Sequence, residues 1–292
     1  MSQRIVIYGA GITGKTIFPK VKKMFGGGGL CFTDSNPALW GRTYMGAQII
    51  RPDEMKKNDK IVLANYCGYE TIPAKLRFMG FEDIDTSFLK DRYEQTLGVR
   101  NRFLSRFAET SCELNMYGSV AEGGVHEGTF AKKINALFPN RNLYLFDTFS
   151  GFDSRDIENE KGYTKERTGH LNAGITENDV ISIMPHPDKV IIRKGYFPET
   201  TNGISDEFMF VNLDFDLYKP TLAGLEFFWP KMVKGGIILV HDYFGDPEAD
   251  KDMVFQGVRD AVIEFSIKND CAFVPIGDEC SVAFVKGCRR EF

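Results

Sequence analysis

The sequence predicts an α/β protein made of two Rossmann-like domains, the second built on a seven-stranded sheet with an antiparallel last strand. Three observations lead there. Both halves open with an apolar strand running into glycines, Arg4 to Tyr8 before Gly9 and Ser119 to Gly123 before Gly124. Short apolar runs then alternate with longer amphipathic segments, the pattern of parallel strands joined by helices. The last two apolar runs lie only a few residues apart, too close for a crossover helix, so they form an antiparallel hairpin at a sheet edge.

In chain order, the first domain takes residues 1–88. It has a strand over Arg4 to Tyr8, a glycine-rich turn, and an apolar and basic helix from Ile17 to Phe25. The four glycines Gly26 to Gly29 break that helix before a short strand ending at Asp34, and a further strand is expected at Ile61 to Asn65. Residues 89–117, charged and studded with aromatics, read as a helical linker. The second domain, 118–292, offers strands at Ser119–Gly123, Leu143–Asp147, Val190–Arg193, Phe208–Asp214, Gly236–Asp242, Ala272–Ile276 and Val282–Val285. Between the first six fall helical segments at Thr129–Leu137, Glu177–Met184, Thr221–Met232 and Asp252–Ile267.

Composition narrows the function classes. Against 40 Asp and Glu stand 36 Lys and Arg in 292 residues, a net charge of −4, with 43% hydrophobic residues. A chain of that length buries a sizeable core without staples, and its mild acidity with no basic run argues against a nucleic-acid or anionic-membrane surface. No apolar run is long enough to span a bilayer. The stretch after Arg4 is too short for a secretory leader, and the six cysteines are scattered with no CxxC pair. A cytoplasmic protein with reduced thiols is expected.

Gly9, Gly11 and Gly14 fit GxGxxG, and Asp34 follows Gly14 by 20 residues at the end of the next strand. This is the spacing with which glycines let backbone approach a pyrophosphate while a carboxylate meets ribose hydroxyls. The same residues, Gly9 to Thr16, satisfy the phosphate-binding GxxxxGK[ST]. That second motif needs a magnesium-holding Asp at a later strand end, which Ile61 to Asn65 lacks. A nucleotide at Gly9 to Gly14 and a plain tight turn both stay open.

The chemistry is expected in the second domain, since ligands of open α/β sheets bind beyond the carboxyl ends of the strands. Four of those ends are polar: Glu122-Gly123-Gly124, Asp147, Asp214 with Asp216, and His241-Asp242. Such a ring of acids repels itself unless a cation or a hydroxyl-rich ligand sits within it. Asp214 and Asp242 suit a hard cation such as Mg²⁺, whereas His241 favours Zn²⁺ or Mn²⁺. Helix capping by the same acids is the bland alternative.

Glu122 and Asp147, 25 residues apart with glycines after the first, resemble the nucleoside pocket of class I S-adenosylmethionine methyltransferases. Four ordered blocks then sharpen the likeness: VAEGGVHEGTFAKKINALFPNRNLYLFDTFSGF, KGYFPETTNGI, FVNLDFDLYKPTLAGLEFFWPKMVKGGIILVHDYF and GVRDAVIEF. Together they resemble the macrocin O-methyltransferase family, which methylates sugar hydroxyls on antibiotics. The N-terminal stretch resembles, more weakly, a Rossmann-like module found beside sugar-modifying enzymes.

The resemblance implies a class I methyltransferase sheet in which Glu122, Gly123 and Gly124 line S-adenosylmethionine, Asp147 binds its ribose, and Tyr196 and Phe197 lie near its adenine. It implies Asp214 as a ligand of Mg²⁺ or another divalent metal, with Asp242 beside it, and Asp216 as general base. Where the family reads DDY this chain has His241-Asp242-Tyr243, so imidazole replaces one expected metal carboxylate. His170, in the long polar segment from Ser150 to Ile175, is a second base candidate, on a loop of lid-like length. Phe149, Phe152, Tyr196, Phe197, Tyr218, Tyr243 and Phe244 are the rings near the expected mouth that would suit a sugar. The partners implied are a sugar-containing small molecule and other copies of the chain, with Tyr93 to Tyr117 the local hint of an association surface.

Overall fold

Strands form where β-branched and aromatic residues run without a helical period, and such strands are buried on both faces. The computed structural model describes residues 3–26, 28–66, 68–158, 160, 174–244 and 256–287. It divides into two units, Met1–Gln95 and Thr96–Phe292.

The first unit holds β1 (Ile5–Tyr8), α1 (Ile12–Phe25), β2 (Leu30–Thr33), β3 (Thr43–Tyr44), β4 (Ala47–Ile50), β5 (Lys60–Leu63), α2 (Thr71–Phe78), β6 (Ile84–Asp85) and α3 (Ser87–Gln95). Its sheet runs β3-β4-β2-β1-β5-β6, with β1 parallel to both β2 and β5. No turn motif in the sequence marks the β3–β4 hairpin. Its two-residue turn places Met45 at φ 50° and Gly46 at φ 81°, the left-handed pair of a tight hairpin turn, but with Met where Asn or Asp would have signalled it.

Two of the three loop glycines are required by close backbone packing. A Cβ on Gly9 would lie 2.7 Å from the Ala64 carbonyl oxygen and one on Gly14 2.2 Å from that of Gly9, while one on Gly11 would meet nothing within 4 Å. Asp34 turns back on the loop: Ala10 N donates to its Oδ2 at 2.8 Å and Asn36 N to its Oδ1 at 2.9 Å.

The second unit holds α4 (Leu97–Glu113), β7 (Ser119–Gly123), α5 (Thr129–Leu137), β8 (Leu143–Asp147), α6 (Ser154–Ile157), α7 (Glu177–Ser182), β9 (Val190–Lys194), β10 (Phe208–Leu213), α8 (Tyr218–Phe228), β11 (Met232–Val240), α9 (Gln256–Asn269), β12 (Phe273–Pro275) and β13 (Val282–Val285). The seven strands lie in the order β12-β13-β11-β10-β7-β8-β9. β13 is antiparallel to both of its neighbours; the others pair in parallel. Strand order reverses between β7 and β10, so the crevice of a doubly wound sheet opens where Gly123 and Leu213 end.

The segment expected as a linker is shared between the units: α3 falls in the first and α4 in the second. On α4, Leu104 and Phe107 are buried in the core, and the Phe107 ring lies 5.6 Å from that of Phe210. Tyr93 stacks on Tyr69 at 4.2 Å. Of the aromatics that hinted at an association surface, Phe103 and Phe107 pack into the core and Tyr117 is exposed. Among the described residues no helix is long and apolar enough to cross a membrane.

Candidate active site

The loop after β7 owes its glycines to packing. A Cβ on Gly124, whose φ is +77°, would lie 1.9 Å from the Asp214 carbonyl oxygen, and one on Gly123 would sit 2.2 Å from the Phe215 ring. Only glycine lets the two strand ends at the switch point approach this closely. With the loop held there, Asp147 at the end of β8 gathers its backbone. Asp147 Oδ2 accepts from Val125 N at 2.7 Å and His126 N at 3.0 Å, and Oδ1 accepts from Phe149 N at 2.7 Å. Oδ1, with that one donor, keeps room for a hydroxyl.

Glu122 lies one step deeper, 1% exposed. Its Oε1 accepts from Asn212 Nδ2 at 2.9 Å, while Oε2 is buried without a hydrogen-bond partner. Burial pushes the carboxyl from an ordinary 4.5 up to about 8, against the pull of Arg100. The folded protein thus holds this proton more tightly than the unfolded chain. Glu122 therefore contributes its full stabilisation below about pH 4.5 and loses it as pH climbs through about 8. Urea unfolding at mildly acidic and mildly alkaline pH should show that decline in the wild type and its disappearance in Glu122→Gln.

Arg100 is a site residue that nothing in the sequence singles out. It comes from α4, is 3% exposed, and donates from Nη2 to Asn212 Oδ1 at 2.8 Å and to Asp214 Oδ2 at 3.0 Å. Its guanidinium covers the Phe130 ring at 4.1 Å. One of three arginines in α4, it carries no local mark of this role.

Beyond β10 and β11 the carboxylates converge. One donor atom from each of Asp214, Asp216 and Asp242 lies within 4.8 Å of the others. Burial raises the Asp214 carboxyl, but His241 and Arg100 outweigh it and hold the group below its ordinary range. Asp216 goes the other way: burial first, then Asp242 and Asp214, push it well above the usual carboxylate value, and it shares a hydrogen bond with Asp242. Two facing carboxyls that cannot both ionise hold a proton between them. Asp216 and Asp242 adopt left-handed backbones, φ 64° and 60°, as do His126 and Phe149. Strained non-glycine residues gathered at one sheet edge are a mark of functional sites.

A cavity of about 200 Å³ occupies this edge, lined by Gly124, Asp147, Phe149, Phe197, Asp214 and Asp216 among others. Of the site residues singled out from the sequence it brings together Gly124, Asp147, Phe197, Asp214 and Asp216, whereas Glu122, Gly123, His241 and Asp242 are not in its lining. Tyr196 is not in its lining; its hydroxyl donates to Asp156 Oδ1 at 3.1 Å, and Arg155 covers its ring at 3.5 Å. Phe197 lines the cavity but is packed in the core against Phe215 at 4.9 Å. Tyr243 is likewise core, and Tyr218 and Phe244 are not in the lining, so that of the rings expected at the mouth Phe149, Phe152 and Phe197 line the cavity. His170 lies outside the described residues.

His241 stands beside the acids. Its Nδ1 is 2.9 Å from Ser281 Oγ, and its Nε2 is 3.8 Å from Asp242 Oδ1. The donors present fit the groups the sequence implied. Three clustered carboxylates suit a hard divalent cation, and Asp147 Oδ1, with a single backbone donor, suits a ribose hydroxyl.

The model for macrocin-O-methyltransferase (TylF) matches residues 94–271 of this chain. Among solved structures, the O-methyltransferase NovP is 22% identical, with 65% of this chain and 80% of that one aligned at a TM-score of 0.54. CalS11, described as a calicheamicin methyltransferase, is 18% identical over 75% of this chain and 84% of its own, with a TM-score of 0.46. A sequence comparison with curated proteins finds no match.

Proposed function

The chain belongs to the macrocin O-methyltransferase family of S-adenosylmethionine-dependent O-methyltransferases, and from that premise we propose that its second unit methylates a sugar hydroxyl of a glycosylated small molecule or polysaccharide precursor. One observation carries the reading: Asp147, Asp214, Asp216 and the glycine loop meet on a single cavity at the switch point of the sheet.

In this reading Gly124 and Asp147 hold the methyl donor, Asp147 through the ribose hydroxyls, with Glu122 behind the loop. The donor supplies a methyl group on a sulfonium that already carries its leaving group. What remains for the protein is to aim an oxygen in line with that methyl and to remove its proton. Asp216 is the base, and its raised affinity for protons suits it to a reluctant hydroxyl. Asp214 and Asp242 would hold a divalent cation, Mg²⁺ by their oxygen donors, whose chemistry is to acidify and position neighbouring hydroxyls. Phe149 and Phe152 offer faces for a sugar ring, and Asp153 and Asp156 in the same lining offer acceptors for its hydroxyls.

The test is methyl transfer from labelled donor to a panel of nucleotide sugars, glycosides and oligosaccharides, with phenols as controls. Transfer to phenols alone would end the sugar reading. Asp147→Ala should weaken donor binding by about 1–3 kcal/mol in calorimetry, the cost of a buried partner left unmet.

For the first unit we propose an accessory role, with a nucleotide the ligand its open Gly11 face would admit. Gly11→Val adds a side chain where no neighbour stands within 4 Å, so the unit should keep its fold and methyl transfer should stay unchanged. A loss of transfer would bring this unit into the reaction.

A further inference from the structure

Behind the carboxylates lies a second donor set, on the turn between β12 and β13. Cys280 Sγ is 3.3 Å from Asp242 Oδ1 and 3.9 Å from His241 Nε2, and that nitrogen is 3.8 Å from Asp242 Oδ1. A tetrahedral zinc site has bonds of about 2.3 Å to sulfur and about 2.0–2.2 Å to nitrogen or oxygen, so its donors stand about 3.3–3.6 Å apart. The three atoms already mark one face of such a tetrahedron, to within a few tenths of an ångström. An octahedral magnesium site, with oxygens at about 2.0–2.1 Å, needs tighter edges and has no use for a thiol.

A buried relay fixes which nitrogen faces the set. Ser281 Oγ donates to Asp278 Oδ2 at 2.6 Å, and Asp278 also accepts from Ser281 N at 2.6 Å. Ser281 and Asp278 are 1% and 2% exposed. Because the serine proton is committed to a carboxylate, Ser281 Oγ can only accept from His241 Nδ1–H. In the neutral imidazole the lone pair is therefore on Nε2, the nitrogen that faces Cys280 and Asp242. A carboxylate behind a histidine is the arrangement that orients metal-binding imidazoles.

We propose that His241 Nε2, Asp242 Oδ1 and Cys280 Sγ form a three-donor site for a borderline transition-metal ion of the Zn²⁺ or Co²⁺ class, with Ser281 and Asp278 as positioning residues. The proposal rests on reading these strand ends as a cation site and adds to it a thiolate ligand and a metal class. On binding, the Cys280 thiol gives up to solvent the proton it now donates to Asp242, and the sulfur takes the cation instead. Three protein donors leave a coordination position open, as in catalytic rather than structural zinc sites.

The test is titration of the full chain with Co²⁺ followed by absorption. A single sulfur-to-cobalt charge-transfer band should appear in the near ultraviolet and persist in a large excess of Mg²⁺. Cys280→Ser should abolish the band, and Ser281→Ala should keep it while weakening Co²⁺ binding by about 10–100-fold. Cobalt bound without a sulfur band, a band that survives Cys280→Ser, or no cobalt bound at all would each overturn the site. Methyl transfer in chelator reports separately. Loss of transfer with no sulfur band sinks the thiolate site and keeps the cation reading, whereas a full rate in chelator with the band intact removes the cation from the reaction and keeps the site.

Discussion

Asp216→Asn should lower the rate of methyl transfer by about 10²–10⁴-fold, the range for losing a positioned general base, while leaving donor affinity nearly unchanged. Asparagine preserves the shape of the side chain and its capacity to bond Asp242, but it cannot accept the proton of the attacking hydroxyl. The group stands on a left-handed backbone at φ 64° in the lining of the cavity, so its place is set by the turn after β10 rather than by its own rotamer. Because burial and two neighbouring acids raise its affinity for protons, the wild-type rate should climb with pH above the ordinary carboxylate range, and that limb should vanish in the variant. Single-turnover transfer across pH, with calorimetry for the donor, reads both. A loss smaller than tenfold would move the base to another residue.

Arg100→Met should destabilise the second unit by about 3–5 kcal/mol, the cost of removing one partner from a buried ion pair. Methionine retains the packing of the stem over Phe130 but leaves Asp214 without its guanidinium and Asn212 without its donor. At roughly 2–4 °C per kcal/mol for a unit of this size, the melting temperature should fall by roughly 6–20 °C. The deficit should shrink at acid pH, where Asp214 takes up a proton, and the double variant Arg100→Met with Asp214→Asn should recover part of it, as expected of coupled neighbours. If the single variant melts with the wild type, Arg100 is not what holds the strand ends together.

Both predictions concern one edge of one sheet, and they differ in how far the sequence led to them. Asp216 sits in a strand-ending DxD, where periodicity and position suffice to mark it. Arg100 is joined to Asn212 and Asp214 across 112 and 114 residues, and nothing in its own neighbourhood distinguishes it from the other arginines of α4. The Asp278–Ser281–His241 relay is hidden in the same way: the sequence shows a turn between two short strands, and only the antiparallel docking of β13 on β11 carries that turn to the end of β11.

By itself the sequence determined the alternation of strands and helices, the antiparallel last strand, the glycine loops and the acids at the strand ends, because each is written in contiguous residues through periodicity, backbone freedom or charge. The tertiary structure decided which of those residues share a cavity, that Tyr196 and Tyr243 do not line it, that glycine is required at Gly123 and Gly124 by Phe215 and the Asp214 carbonyl, and that Arg100 and Cys280 join the acids. Those outcomes depend on the order in which strands pair and on which side chains are driven from water together. Proton affinities follow from the same burial, so the contrast between the raised Glu122 and Asp216 carboxyls and the lowered Asp214 exists only once the chain has folded.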